Sequence, residues 1–138
     1  MATVSIRYIV NDVDAAIPFY CEALGFALVM HPAPPFAMLE RGPLRLVLSS
    51  PNAGPGGGRP MPDGTAPAPG GWNRFAIEVD DIDATVARLR AAGVVFRNQI
   101  VDGVGGRQII AEDPSGNPVE LFQPTRQEAR LAPESPRG

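Results

Sequence analysis

Lysine is absent from the chain, and cysteine, histidine and tryptophan occur once each, as Cys21, His31 and Trp72. A single thiol cannot close an internal disulfide, so packing has to hold the fold, and a reducing, cytoplasmic setting is expected. One histidine cannot furnish a histidine-rich metal centre. Positive charge is not in excess: twelve arginines face fifteen acidic residues for a net charge of −3, which argues against a nucleic-acid partner. No apolar run approaches the roughly 18 residues of a membrane span, and no basic segment leads from Met1 into an apolar stretch, so neither a membrane partner nor a secretory leader is expected. Nucleophile elbow, phosphate loop and dinucleotide fingerprint are also missing. The run Gly54-Pro55-Gly56-Gly57-Gly58 neither follows a strand into a helix nor carries a lysine, and reads as flexible linker.

What is present is a 138-residue chain, 44% hydrophobic and 20% charged, within reach of one structural domain. Glycine and proline are concentrated between Ser50 and Gly71, where almost no side chain is apolar. That stretch cannot sustain a strand ladder or a helix. Residues 51–71 are therefore expected to form a linker or lid, and 124–138, charged and punctuated by proline, a loosely held tail.

The linker separates two similar halves, 1–50 and 72–123. Val10, Asp12, Asp14 and Ala15 match Val79, Asp81, Asp83 and Ala84 at a constant offset (81 − 12 = 69), which points to an internal duplication. Alternation predicts strands over Val4–Val10 and Arg74–Val79. Asp12 and Asp81 stand at N-cap positions before helices over Val13–Leu24 and Ile82–Ala92, with Gly25 and Gly93 at the exits. Three strands follow in each half: Phe26–His31, Phe36–Arg41 and Leu44–Ser49, then Val94–Val101, Arg107–Glu112 and Pro118–Gln123. The expected class is α+β: two βαβββ modules forming a cupped eight-stranded mixed sheet, helices outside.

Several segments carry a family resemblance: Asn11-Asp12-Val13-Asp14, Leu24-Gly25-Phe26, Val79-Asp80-Asp81-Ile82-Asp83, Ala92-Gly93 and, most specifically, Asp113-Pro114-Ser115-Gly116-Asn117-Pro118-Val119-Glu120-Leu121. Together they resemble the vicinal oxygen chelate superfamily of glyoxalase I, extradiol dioxygenases and bleomycin-resistance proteins. The resemblance implies paired modules around a central cup, a homodimer, and either metal catalysis or plain ligand binding. It also implies four metal-ligand positions. Here they fall on Ser5, on Arg45 or Val47, on Arg74 and on Glu120. Only Glu120 is a ready donor, and a fixed guanidinium repels a dication, so no metal and no cofactor are expected.

Arg74 and Glu120 are instead expected to pair where the ion would sit. By strand alternation Ser5, Arg7, Arg45, Val47, Arg74, Glu78, Glu120 and Phe122 share the cup-facing side, a mixed interior with a slight basic excess. Phe36 and Trp72 are candidates for stacking on a planar ligand. Phe19 and Tyr20 are read as core, Cys21 as a packing residue without a partner base, and His31 as a surface or partly packed residue.

The leading expectation is a metal-independent small-molecule binding protein of the glyoxalase/bleomycin-resistance type, acting in antibiotic sequestration or resistance. The alternative is a lyase, isomerase or dioxygenase-like enzyme, metal-free or with relocated metal ligands, acting on a small carbonyl or anionic metabolite. Glu120 or Glu78 would then serve as general base and Arg74 as oxyanion stabiliser.

Overall fold

Strand formation follows the alternation of the sequence. Ile6 and Tyr8 of the first strand and Leu46 and Leu48 of the fourth turn to the side that Val13 and Ala16 of the first helix and Tyr20 of the turn after it occupy, and nearly all of these are buried. The structure, a computed structural model, describes residues 3–51 and 57–131. These divide into two compact units. One runs to Trp72 and takes in Asp113–Asn117; the other is Asn73–Glu112 with the segment from Pro118 onward.

The first unit contains β1 (Val4–Ile9), α1 (Val13–Pro18), β2 (Ala27–Ala33), β3 (Phe36–Arg41) and β4 (Leu44–Ser49), its sheet ordered β1-β4-β3-β2. β1 and β4 run parallel, with Arg7 opposite Val47. Asp12 caps α1, its Oδ1 accepting from the Ala15 backbone N–H at 3.3 Å. The helix expected to reach Leu24 stops at Pro18, and Phe19–Ala23 form a π-helical turn. Pro18 has no N–H to continue the ladder, so the chain widens there. β2 runs past His31 to Ala33, with register shifts at Met30.

The second unit contains β5 (Ala76–Glu78), α2 (Ile82–Ala91), β6 (Val95–Phe96), β7 (Val101–Asp102), β8 (Gly106–Glu112) and β9 (Pro118–Pro124). Its sheet is ordered β5-β9-β8-β6, with β7 also paired to β8. Asp81 caps α2 through the Ala84 N–H at 3.1 Å. Ile82, Val86 and Leu89 are buried along one stripe of the helix. Arg107 of β8 reaches Asp83 of α2 at 2.7 Å and Asp102 of β7 at 2.8 Å.

The βαβββ order thus appears twice, in an α+β chain with two mixed sheets. One expected strand, Val94–Val101, is split into β6 and β7, so the described residues hold nine strands instead of eight. Asn98 explains the break. Its side-chain Oδ1 accepts the Ile110 N–H at 2.9 Å, taking the place of a strand carbonyl.

The segments 57–71 and 124–131 make hydrogen bonds of their own. Within 57–71, Met61 and Thr65 close a turn (2.8 Å), and backbone and side-chain bonds from Thr65 hold the Asp63 carboxyl below its usual range. Residues 54–56 of the glycine-rich run lie outside the described residues. Pro124 belongs to β9, Thr125 N–H donates to the Gly105 carbonyl (3.0 Å), and Leu131 N–H donates to Glu78 Oε1 (2.8 Å). No helix among the described residues is long and apolar enough to cross a membrane.

Candidate functional site

Each sheet has a face turned away from its unit's helix, and most candidate residues lie on those two faces; Trp72 belongs to no strand, and Arg74 stands just ahead of β5, because the strand expected over Arg74–Val79 is only Ala76–Glu78. In the first unit Ser5 and Arg7 of β1 are exposed, Arg45 of β4 is half-buried opposite Ser5, and Val47 is buried opposite Arg7. Phe36 begins β3, half-buried opposite Ser49. Gly57 lies against Arg7: a Cβ on it would collide with the Arg7 Cδ and guanidinium. Arg45 donates to Glu40 Oε1 from Nη2 at 2.6 Å and from Nε at 3.2 Å. Trp72 ends this unit with 69% of its surface exposed.

In the second unit Arg74 donates to Glu120 Oε1 from Nε and from Nη2, each at 3.0 Å. The expected ion pair is formed, and both side chains are largely screened from water (25% and 16% exposed). Glu78 is half-buried and accepts the Leu131 N–H; Phe122 is half-buried opposite Gln108. Arg97 and Glu112 form a further pair at 3.1 Å.

Strand register resolves the choice between Arg45 and Val47. Arg7 lies five residues before the cap Asp12, as Ala76 does before Asp81. Arg7 pairs with Val47 and Ala76 with Glu120, so Val47 is the counterpart of Glu120. The same count makes Ser5 the counterpart of Arg74.

Glu40 is the residue that sequence reasoning missed. Its signal was available: the Gly42-Pro43 turn joins β3 to β4, which sets Glu40 opposite Arg45. Counting Glu40 removes the expected basic excess. The three arginines, Arg7, Arg45 and Arg74, are matched in number by Glu40, Glu78 and Glu120, so a preference for anions has no support from the charge count on these faces.

The most specific motif proves architectural. Asp113 and Asn117 are each 4% exposed. Asp113 Oδ1 accepts from the Ser115 and Asn117 backbone N–H groups (2.8 and 2.9 Å); its Oδ2 accepts from the Tyr20 hydroxyl (2.8 Å) and Asn117 Nδ2 (3.0 Å). Asn117 Nδ2 also donates to the Ile9 carbonyl, and its Oδ1 accepts from Gly70 N–H, both at 2.7 Å. Burial, then the Asp113 charge and hydrogen bond, push the Tyr20 hydroxyl well above its usual pKa. Burial, with the Glu22 charge behind it, likewise pushes the Cys21 thiol up, the opposite of an activated nucleophile. His31 Nε2 lies 3.5 Å from Asp14 Oδ1, and among the described residues the two join no larger cluster of metal-ligating side chains.

With this geometry in hand, comparison with known proteins is informative. Residues 3–121 match the model of the Glyoxalase/Bleomycin resistance protein/Dioxygenase superfamily. The chain belongs to that superfamily. A Mycolicibacterium smegmatis protein is 26% identical over 116 residues, 84% of this chain and 88% of its own. The crystal structure of TnmS3, an antibiotic binding protein from Streptomyces sp. CB03234, is similar with a TM-score of 0.67 at 28% identity, covering 91% of this chain and 98% of that one. A Glyoxalase/bleomycin resistance protein/dioxygenase superfamily member from Sphaerobacter thermophilus gives a TM-score of 0.69 at 27% identity, over 89% and 98% of the two chains.

This superfamily includes metal-dependent enzymes, so the donor set has to be tested against a metal. Ser5, Val47, Arg74 and Glu120 offer one hydroxyl, one isopropyl group, one guanidinium and one carboxylate. Valine and arginine have no lone pair to give, and the single carboxylate already accepts two N–H bonds from Arg74. Among the described residues no three of histidine, cysteine, aspartate and glutamate converge as a metal site would need. These residues do not fit a divalent metal.

Proposed function

We propose that the chain is a metal-independent binding protein for a small organic molecule, of the antibiotic-sequestering kind, with Arg74 and Glu120 as the ligand's polar anchor. The observation that carries this reading is the Arg74–Glu120 pair, with Nε and Nη2 each 3.0 Å from one carboxylate oxygen, at two positions where metal ligands are implied. A guanidinium beside a carboxylate offers donor and acceptor together. That combination suits a ligand carrying carbonyl and hydroxyl groups. The antibiotic binding protein TnmS3, 28% identical, lends support from outside the chain. Phe36, Val47 and Phe122 are candidate apolar contacts on their own sheets, and Trp72 a candidate stacking ring.

The test is a thermal-shift screen of small aromatic antibiotics, followed by calorimetry on any hit with and without chelator. The expected result is affinity unchanged by chelator and lowered at least about tenfold by Arg74→Ala, since a lost charge-assisted bond is worth roughly 1.5–3 kcal/mol. A metal requirement, or unchanged affinity in Arg74→Ala, overturns the reading.

A further inference from the structure

The first unit holds a polar group that its fold leaves unused. Ser49, the last residue of β4, is 2% exposed, and among the described residues its buried Oγ has no hydrogen-bond partner. A hydroxyl in that state is costly, and nearly all buried polar groups in folded proteins are paired. The main chain around it is engaged elsewhere: the Ser49 carbonyl accepts the Val10 N–H and the Pro35 carbonyl accepts the Ser50 N–H, each at 3.0 Å. His31 Nε2, buried in the same way, at least has Asp14 Oδ1 3.5 Å away.

Strand register defines its surroundings. Ser49 alternates with Leu48 and shares the face of Arg45 and Val47, away from the helix. It stands opposite Ile9 of β1 and Phe36 of β3. Met38 lies opposite Val47, and Met30 of β2 opposite Met38. Around Ser49 and Val47 these side chains are apolar. The charged pair Arg45–Glu40, bonded at 2.6 Å, lies at the far end of the face, and Arg7, opposite Val47 on the edge strand, is exposed. Ile9, Phe36 and Met38 are only half-buried and Met30 is exposed, so the flanks of the hydroxyl have room to move. Unbranched thioethers also reshape easily around a ring.

We propose that Ser49 is a specificity-determining residue of a ligand site on this face, and that the ligand is a neutral aromatic molecule carrying a hydroxyl or carbonyl oxygen. The ring packs against Phe36 and Met38, and its oxygen meets Ser49 Oγ once the Phe36 ring swings outward. A serine hydroxyl both donates and accepts, so a phenol and a ketone are both served. An anion finds no counter-charge among the strand partners of Ser49, and a plain hydrocarbon leaves the hydroxyl as it is. Such a site presupposes a chain that binds small molecules, the reading given above, but does not depend on the Arg74–Glu120 anchor.

The experiment is a titration of the full chain with 2-naphthol at neutral pH, followed by amide chemical shifts, with 2-methylnaphthalene, of similar shape but without the oxygen, in parallel. Saturable binding is expected with shifts centred on Phe36, Met38, Val47 and Ser49, and the hydrocarbon at least about fivefold weaker. Ser49→Ala is expected to bring the naphthol down to the affinity of the hydrocarbon. It should leave the melting temperature of the free protein unchanged or raised, because no bond is lost from the fold. The inference is overturned by an absence of saturable binding, by equal affinity for the two probes, or by an unchanged naphthol affinity in Ser49→Ala. It is also overturned if Ser49→Ala lowers the melting temperature by more than about 3 °C, since the hydroxyl would then already have a partner in the folded chain. Shifts centred on Arg74 and Glu120 overturn it too while favouring the anchor, whose own failure is read from Arg74→Ala in the calorimetry above.

Discussion

The two units repeat one architecture and disagree on one face. Each has a strand, a helix capped by aspartate, and a run of further strands, three in the first unit and four in the second, with its first strand paired parallel to its last. The helix-facing positions stay alike: Leu46 and Leu48 in the first unit, Val119 and Leu121 in the second, all under 2% exposed. On the other face, Val47, buried, stands in the first unit where Glu120, paired to Arg74, stands in the second. The helix side has to fill a core, so it tolerates only apolar side chains. The far side carries no such demand, and there the copies have diverged toward different chemistry. The turns before their last strands differ as well. The first unit uses Gly42-Pro43, with Gly42 at φ +58°, whereas β8 and β9 are joined by the buried Asp113–Asn117 network, a segment that itself belongs to the first unit.

That second contrast gives the largest expected effect. Asp113→Ala removes the acceptor for the Tyr20 hydroxyl, the Asn117 amide and two backbone N–H groups at once. A loss of about 3–5 kcal/mol in urea unfolding is expected. Gly42→Ala, at an exposed turn, should cost only about 1 kcal/mol for its positive φ. Equal costs would mean that the two turns carry equal weight, against their geometry.

Exchanging the chemistry of the two faces comes next. Val47→Glu brings a carboxylate to a position 5% exposed. No counterpart of Arg74 accompanies it, because Ser5 fills that place and Arg45 is engaged by Glu40. The expected cost is about 2–4 kcal/mol in the same measurement. A neutral result would show that Arg7 or Arg45 re-pairs with the new carboxylate, and that the first unit tolerates the second unit's chemistry.

Alkaline pH probes the Tyr20 hydroxyl. Its pKa is raised in the folded chain, so the unfolded chain ionises first as pH climbs past the ordinary value of 10.0. Below that value the contribution is fully present; above it the unfolded state binds fewer protons and stability falls, by up to about 1.4 kcal/mol per pH unit. Tyr20→Phe should flatten the stability profile above pH 10 by that slope, while leaving the Cys21 contribution, of the same sign, in place. An unchanged slope would place the alkaline loss elsewhere.

Much of this was legible before any coordinates. The constant offset between Asp12 and Asp81 announced the repeat, and both caps formed as their spacing required. Alternation set Arg74 and Glu120 on one face, and they meet there. What escaped notice depends on contacts that periodicity does not encode. Asn98 breaks a strand by offering a side-chain oxygen to Ile110, although its neighbours alternate well enough for a strand to be read. Pro18 ends a helix whose apolar spacing continues past it. The Asp113–Asn117 segment reads as a polar turn, and its role rests on Tyr20, far away in the chain. Glu40 was overlooked because a strand residue beside a turn draws attention only when its cross-strand neighbour is named.

The finest test sets the two ion pairs against each other. Arg45–Glu40 has the shorter contact, 2.6 Å, but its side chains are 38% and 32% exposed; Arg74–Glu120 is longer, 3.0 Å, and less exposed at 25% and 16%. If distance governed, Glu40→Gln would cost more. Screening by water argues the reverse, since exposed pairs contribute little whatever their length, while a shielded guanidinium that loses its carboxylate keeps its desolvation cost. The expected ordering is about 1 kcal/mol for Glu120→Gln and under about 0.5 kcal/mol for Glu40→Gln, with only the larger value persisting at high salt. The opposite ordering would mean that the second unit's pair adds no stability, and that its only part in the protein is to hold a ligand.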